Sequence, residues 1–97
     1  LPTMALGNFA ANNNDWITAE RAYRRALLYH PNAAEAWNNL GHVLAQQHCP
    51  VEAREAVKCA IELIPDNTAF HQLLDKINSD KNKISSDCQA VHCPRLK

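Results

Sequence analysis

The chain has 97 residues and no formal net charge, with ten basic and ten acidic residues, and only two residues are glycine. This length fits one small domain, and no segment has the basic excess that binding to nucleic acid or to an acidic membrane surface requires. No apolar run approaches the roughly 18 residues of a membrane span, and the scarcity of glycine favours an all-α fold over a β-rich one.

The first predicted unit, 1–33, is a helical hairpin. The stretch from Asn12 to Trp16, "NNNDW", is its turn. The side chain of Asp15 can cap the helix that starts near Trp16, because its oxygen accepts from an unpaired N–H of the first turn. Leu1 then falls inside the first helix, so the chain is predicted to begin within a repeat and further repeats are expected upstream.

The second predicted unit, 34–67, is also a helical hairpin. Pro50 suits the first turn of its second helix, where an N–H would lack a partner anyway, and Pro65 ends that helix. Apolar residues with helical spacing mark the two facing sides of the hairpin. They are Trp37, Leu40, Leu44 and Ala45 in the first helix and Ala53, Val57, Ala60, Ile61 and Ile64 in the second.

Gly41 lies in the middle of the first helix of this second unit. Glycine costs roughly 1 kcal/mol relative to alanine in a helix interior. We interpret Gly41 as a position of close approach, where the second helix presents Ala53 and neighbouring small residues. The contact between the two backbones would offset the lost helix propensity.

The two units are copies of each other at an offset of 34 residues. Pairs of small, apolar or proline residues recur in the same order. They are Leu6-Gly7 with Leu40-Gly41, Ala19 with Ala53, Tyr23 with Val57, Ala26 with Ala60, Leu27 with Ile61, and Pro31 with Pro65.

Residues 68–78 begin a third copy in the same register. Asp75 stands at the glycine position, and no second helix follows. The pattern predicts a single helix that caps the last hairpin and turns a polar face to solvent. Its predicted apolar face consists of Ala69, Phe70, Leu73, Leu74 and Ile77.

The final stretch, 79–97, is polar and has few apolar anchors, so it is predicted to be a mobile tail. Its deletion is then expected to leave the melting temperature nearly unchanged. We interpret Cys88 and Cys93 as unpaired thiols of this tail. A Cys88–Cys93 disulfide is one alternative. A metal site that includes His92 is another, although "CQAVHC" lacks a fourth ligand.

The other two cysteines are Cys49, in a predicted turn, and Cys59, at the edge of a helix face. An even number of cysteines permits disulfides without requiring them. A Cys49–Cys59 pair is disfavoured, because several helical turns separate the two residues.

The repeated pattern resembles the tetratricopeptide repeat, a 34-residue helical hairpin with the signature Trp-x2-Leu-Gly-x2-Tyr, then Ala, an aromatic residue, Ala and Pro. The first copy departs from it at Thr3 and Ala10, and the second has Leu44 and Val57 where aromatics are usual. The resemblance covers residues 1–67 and implies a right-handed helix-turn-helix solenoid. The matching positions are Leu6, Gly7, Ala19, Tyr23, Ala26, Pro31, Trp37, Leu40, Gly41, Ala53, Val57, Ala60 and Pro65.

The resemblance also implies a concave groove, lined by the first helices of successive repeats, that binds a protein or peptide partner. Asn and Gln side chains suit a peptide backbone, since each amide offers both donors and acceptors. A solvated polar face without a ligand is the alternative interpretation. The groove positions are Met4, Ala5, Asn8, Glu35, Asn38, Asn39, His42, Gln46, Gln72 and Lys76.

Chaperone-binding members of the family hold a terminal carboxylate with a clamp of Lys, Asn, Asn, Lys and Arg. Asn8 and Asn39 stand at the two Asn positions of that clamp. Met4, Ala69 and Leu73 replace the three cations. A carboxylate would have little to hold it here, so this subtype is not expected.

The stretch from Asn12 to Leu44 also resembles the repeat region of the transmembrane and tetratricopeptide repeat-containing proteins. These are O-mannosyltransferases of the endoplasmic reticulum with lumenal repeats. The likeness is strongest at the Asp15-Trp16 turn and the Arg- and Ala-rich helix after it. It implies an alternative in which this chain is part of such a repeat region, without the catalytic membrane portion.

The leading hypothesis is a non-catalytic scaffold that binds partner peptides in the groove. A spacer without a ligand is a further possibility. No glycine-rich phosphate loop or convincing Ser/His/Asp order points to an enzyme, and no cofactor or metal is expected. The sequence starts with Leu and shows no signal-peptide pattern, so the compartment stays open between the cytoplasm and the lumen of the endoplasmic reticulum.

Overall fold

The computed structural model describes residues 2–81 and 83–94, which form five α-helices and no strand. The predicted start within a helix falls on Leu1, which lies outside the described residues, as do residues 82 and 95–97 of the predicted tail. The helices are α1 (Pro2–Asn12), α2 (Trp16–Tyr29), α3 (Ala34–Gln46), α4 (Pro50–Leu63) and α5 (Thr68–Ser79). α1 pairs with α2 and α3 with α4, while α3 also packs on α2, and α5 on α4. The predicted all-α stack of helical hairpins is therefore confirmed.

Both hairpin turns have the same backbone geometry, one repeat apart. Asn14 and His48 have positive φ angles of 59° and 63°, a left-handed conformation in which Asn and His are enriched. The next amides, those of Asp15 and Cys49, each donate to a carbonyl five residues earlier, at 2.9 and 3.0 Å. These bonds satisfy carbonyls at the end of each first helix that would otherwise lack a partner.

The helix ends follow local chemistry. The carboxylate of Asp15 accepts from the Thr18 N–H at 3.2 Å, so the predicted cap of α2 is confirmed. Pro50 opens α4 in its first turn, as predicted, and α4 ends at Leu63, before Pro65. Asn67 caps α5 in the same way as Asp15 caps α2.

Gly41 is a position of close helix approach. A Cβ built there would lie 3.1 Å from the carbonyl oxygen of Ala53 and would overlap Cγ2 of Val57. Gly7 occupies the same register position in α1, where a Cβ would overlap the ring of Tyr23. The predicted approach of two backbones at Gly41 is therefore confirmed, and the tightest contact is with the side chain of Val57.

The predicted apolar faces form most of the core, with two exceptions. Ile64 is 40% exposed, because it lies just beyond the last turn of α4. Ala69, in the first turn of α5, is also exposed. The buried members of the predicted faces are Trp37, Leu40, Leu44, Ala53, Val57, Ala60, Phe70 and Ile77.

The segment that follows α5 is attached to the helices, and we call its residues 83–94 the strap. Disulfides join Cys49 to Cys88 and Cys59 to Cys93. The interpretation of Cys88 and Cys93 as unpaired thiols is therefore wrong. The two alternatives, a disulfide between them and a metal site, are wrong as well.

Chain geometry explains this pairing. The ten residues from Cys49 to Cys59 run along α4 and span about 15 Å at the helical rise. The five residues from Cys88 to Cys93 span a similar length, roughly 17 Å, when extended. The strap lies along α4 in the same direction, so the two Cα–Cα distances are 5.8 and 5.7 Å, within the usual range for disulfides.

Hydrogen bonds hold the strap in place as well. The Ser85 N–H donates to the carbonyl oxygen of His48 at 2.8 Å. The guanidinium of Arg24 on α2 donates to the carbonyl oxygens of Ala90 and Gln89 at 2.9 and 2.8 Å. The strap has no regular secondary structure, but it connects α2 with α4.

Candidate functional site

The predicted groove positions of consecutive repeats meet at two asparagines. The Asn39 amide N–H donates to Oδ1 of Asn8 at 3.4 Å. The Tyr23 hydroxyl donates to the same oxygen at 2.6 Å. That oxygen is therefore engaged. Within the described residues, the amide N–H groups of Asn8 and the side-chain carbonyl of Asn39 remain for a ligand.

Tyr23 was predicted only as a packing position, and the sequence analysis missed its polar contact. Its ring is buried in the middle of α2, and burial raises the pKa of its phenol. A buried tyrosine hydroxyl usually finds a hydrogen-bond partner. This rule could have predicted from the sequence that the Tyr23 hydroxyl has a partner, and the structure shows that the partner is Asn8. Tyr23 therefore fixes the orientation of the Asn8 amide.

His42 lies at the junction of α3 and α5. Its ring makes an edge-to-face contact with Trp16, with 6.0 Å between centroids and an interplanar angle of 82°. On the other side it lines a small groove of about 80 Å³ with Gln46, Leu73 and Lys76. The structure therefore brings three of the predicted groove positions, His42, Gln46 and Lys76, together.

The charge state of His42 is shifted by its surroundings. Burial, and then the positive charge of Lys76, lower the pKa of the imidazole below its ordinary value of 6.5. The ring is therefore neutral at pH 7. A neutral imidazole offers a ligand one donor and one acceptor.

A dependence of stability on pH follows from this shift. The unfolded chain takes up a proton at this residue more readily than the folded chain does. The contribution of neutral His42 to the free energy of unfolding is therefore complete above about pH 6.5, and it is lost as the pH falls through the pKa of His42 in the folded chain. We expect acidification from about pH 7.5 to 5 to lower the melting temperature of the native chain more than that of His42→Gln. His48 and Asp80 line the same groove, so the difference between the two proteins is the quantity to measure. Parallel pH profiles would contradict the assignment.

Asn38 lies one helical turn before His42 on α3, and its side chain is half-buried. Its Oδ1 atom is buried without a hydrogen-bond partner in the described part of the chain. An unpaired buried acceptor is costly. Because this oxygen has almost no accessible surface, a ligand in the groove cannot reach it in this conformation.

The remaining predicted groove positions make no described side-chain contact with the two asparagines or with His42. Glu35 and Gln72 are exposed, and no described contact joins them to the asparagines. Met4 packs against the core and Ala5 is exposed. The binding role of these positions stays a prediction.

None of the described helices has both the length and the apolar character needed to cross a membrane.

Comparison with known proteins identifies the repeat. Residues 22–55 match a family model described as the tetratricopeptide repeat. The match runs from α2 through α3 into α4 and spans one repeat length across the boundary between the two hairpins. No curated protein matches the chain, so the resemblance to O-mannosyltransferase repeats stays a sequence-based interpretation. Residues 22–55 thus contain a tetratricopeptide repeat, and the five helices of the described chain are consistent with a short helical-repeat solenoid.

Proposed function

We propose that this chain is a non-catalytic interaction module that binds an extended peptide along α1, α3 and α5. The observation that supports this best is the arrangement of the amides of Asn8 and Asn39, which come from consecutive repeats and lie in contact. Tyr23 holds one of them in a fixed orientation. Two amides that come from consecutive repeats and lie side by side suit the donors and acceptors of a peptide backbone.

His42 extends this row toward α5. Its neutral imidazole supplies one further donor and one further acceptor. Lys76 at the edge of the same groove adds a positive charge. The proposed ligand is therefore a peptide recognised mainly through its main chain.

The expected affinity is modest. Each hydrogen bond contributes only about 0.5–1.5 kcal/mol net. Main-chain recognition also gives broad rather than sharp specificity. Tight capture then requires several linked sites, which raise the effective concentration of the ligand.

The test uses peptides selected from a random 12-residue library on the native chain. We expect Asn39→Ala combined with His42→Ala to weaken binding of the selected peptides several-fold, because the variant removes one amide and one imidazole. Circular dichroism should show unchanged helicity. Glu55→Ala with Lys58→Ala on α4 is the control pair, since both side chains are exposed and belong to the other helix of the hairpin. Undiminished binding by the first variant, or loss only in the control pair, would overturn the groove proposal.

The second candidate is a lumenal repeat segment of an O-mannosyltransferase. One observation favours its compartment, namely the two disulfides. Disulfides persist in oxidising compartments such as the lumen of the endoplasmic reticulum and are rare in the cytosol. Alkylation of the protein in intact cells distinguishes a lumenal from a cytosolic location. Disulfide-bonded cysteines do not react with a maleimide, so reaction of all four cysteines would argue against a lumenal location.

A further inference from the structure

A second groove runs along the outer side of α2, away from the row of asparagines. It is open to solvent, has a volume of about 910 Å³, and lies between α1, α2 and the strap. Two of the large apolar side chains that line it are exposed, namely Leu6 at 52% and Leu28 at 79%. Large apolar groups held in a groove at this exposure gain from being covered.

The groove is also basic. Arg21 and Arg25 are exposed on α2, one turn apart, and both line it. Like charges at this spacing destabilise a helix slightly. No acidic residue lines the groove in the described part of the chain. Arg24 differs from this pair, because Glu20 neutralises it at 2.8 Å.

The repeat itself shows how such a surface is covered. Cys59 on α4 stands 34 residues after Arg25, and the strap crosses it through the bond to Cys93. Glu62 stands 34 residues after Leu28, and its carboxylate contacts the sulfur of Cys93 at 4.0 Å. On the second hairpin, an extended segment therefore lies over the face of α4 that contains Cys59 and Glu62. Within the described residues, no segment lies over the equivalent face of α2, which contains Arg25 and Leu28.

We propose that this groove on α2 binds an extended acidic peptide that carries large apolar side chains. Carboxylates of the peptide pair with Arg21 and Arg25, and its apolar side chains cover Leu6 and Leu28. His92 of the strap lines the same groove. This site is separate from the one on α1, α3 and α5, so the chain can hold two peptides at once.

The probe is a fluorescent 12-residue peptide composed of Glu and Leu, with a Lys and Leu peptide as its counterpart. Fluorescence anisotropy should show binding of the acidic peptide and not of the basic one. Arg21→Glu with Arg25→Glu should weaken binding at least tenfold. The matched control is Arg54→Glu with Lys58→Glu, which makes the same charge change at the same helical spacing on α4. We expect it to bind like the native chain.

Leu28→Ser tests the apolar part at unchanged charge and should also weaken binding several-fold. The substituted position is exposed, so the variant should keep the native melting temperature. Equal loss in the two charge-reversal pairs would overturn the site, because it would reflect net charge alone. Binding of phosphatidylserine vesicles that is lost in the Arg21/Arg25 variant, without loss of peptide binding, would assign the arginines to a membrane surface. A dimer that Leu28→Ser dissociates would assign the face to a second copy of the chain. Either result would overturn the proposal.

Discussion

Replacement of Gly41 by leucine is expected to unfold the second hairpin or loosen it severely. A single Cβ at this position already overlaps Cγ2 of Val57 and comes within 3.1 Å of the Ala53 carbonyl oxygen. The carbonyl belongs to the α4 backbone and cannot move without shifting the whole helix. Overpacking of this kind typically costs 1–3 kcal/mol or more, and domains are stable by only about 5–15 kcal/mol.

Thermal denaturation followed by circular dichroism measures the effect. Each kcal/mol corresponds to roughly 4–8 °C in a domain of this size, so a cost of about 1–3 kcal/mol should lower the melting temperature by roughly 4–24 °C. Ala69→Leu adds a similar side chain at an exposed position of α5 and should change little. The melting temperature of Gly41→Ala should lie between those of Gly41→Leu and Ala69→Leu. A native melting temperature in Gly41→Leu would contradict the close approach of α3 and α4.

Loss of the two disulfides is expected to lower the melting temperature by 10 °C or more. The Cys49–Cys88 bond joins residues that are 39 positions apart in the sequence, and the Cys59–Cys93 bond joins residues that are 34 positions apart. Disulfides typically contribute about 2–4 kcal/mol each, chiefly by restricting the unfolded chain. The strap also packs Val91 against the core. The structure therefore reverses the expectation that the C-terminal segment can be deleted without effect.

The comparison is between the native chain, with and without a reductant, and Cys88→Ser combined with Cys93→Ser. Reduction should destabilise the native chain and leave the double variant unchanged, which separates the disulfides from other effects of the reductant. Cys49 and Cys59 stay as small buried thiols in the variant, so their own packing is retained. If reduction leaves the melting temperature of the native chain unaltered, the strap does not contribute to stability.

The local elements of this protein could be predicted from the sequence. Asp15 marks the start of α2, because a carboxylate there satisfies a free amide of the first turn. Pro50 marks the start of α4 for a related reason, since a proline lacks the N–H that would have no partner. Gly41 indicates the close approach of two helices, because only that contact offsets its poor helix propensity. Each of these signals depends on residues within one hairpin.

Parts of the candidate sites could be placed in the same way. The offset of 34 residues puts Asn8 and His42 on the first helices of the two hairpins, so their common face was predictable. The bond from Tyr23 to Asn8 was not, because the direction of a hydroxyl depends on how two helices pack. The lowered pKa of His42 was not predictable either, since the cation that contributes to it, Lys76, lies on a helix from another repeat.

By itself the sequence determined the helices, their caps and their repeat, because these depend on neighbours within a few turns. Only the tertiary structure decided the course of the strap. Four cysteines permit three different pairings, and the extended length from Cys88 to Cys93 matches the helical length from Cys49 to Cys59 only if the strap runs along α4. That direction is set by where α5 ends after packing on α4. The basic groove beside α2 could not be predicted from the sequence for the same reason. Its walls come from α1, from α2 and from the strap, which lies more than sixty residues further along the chain.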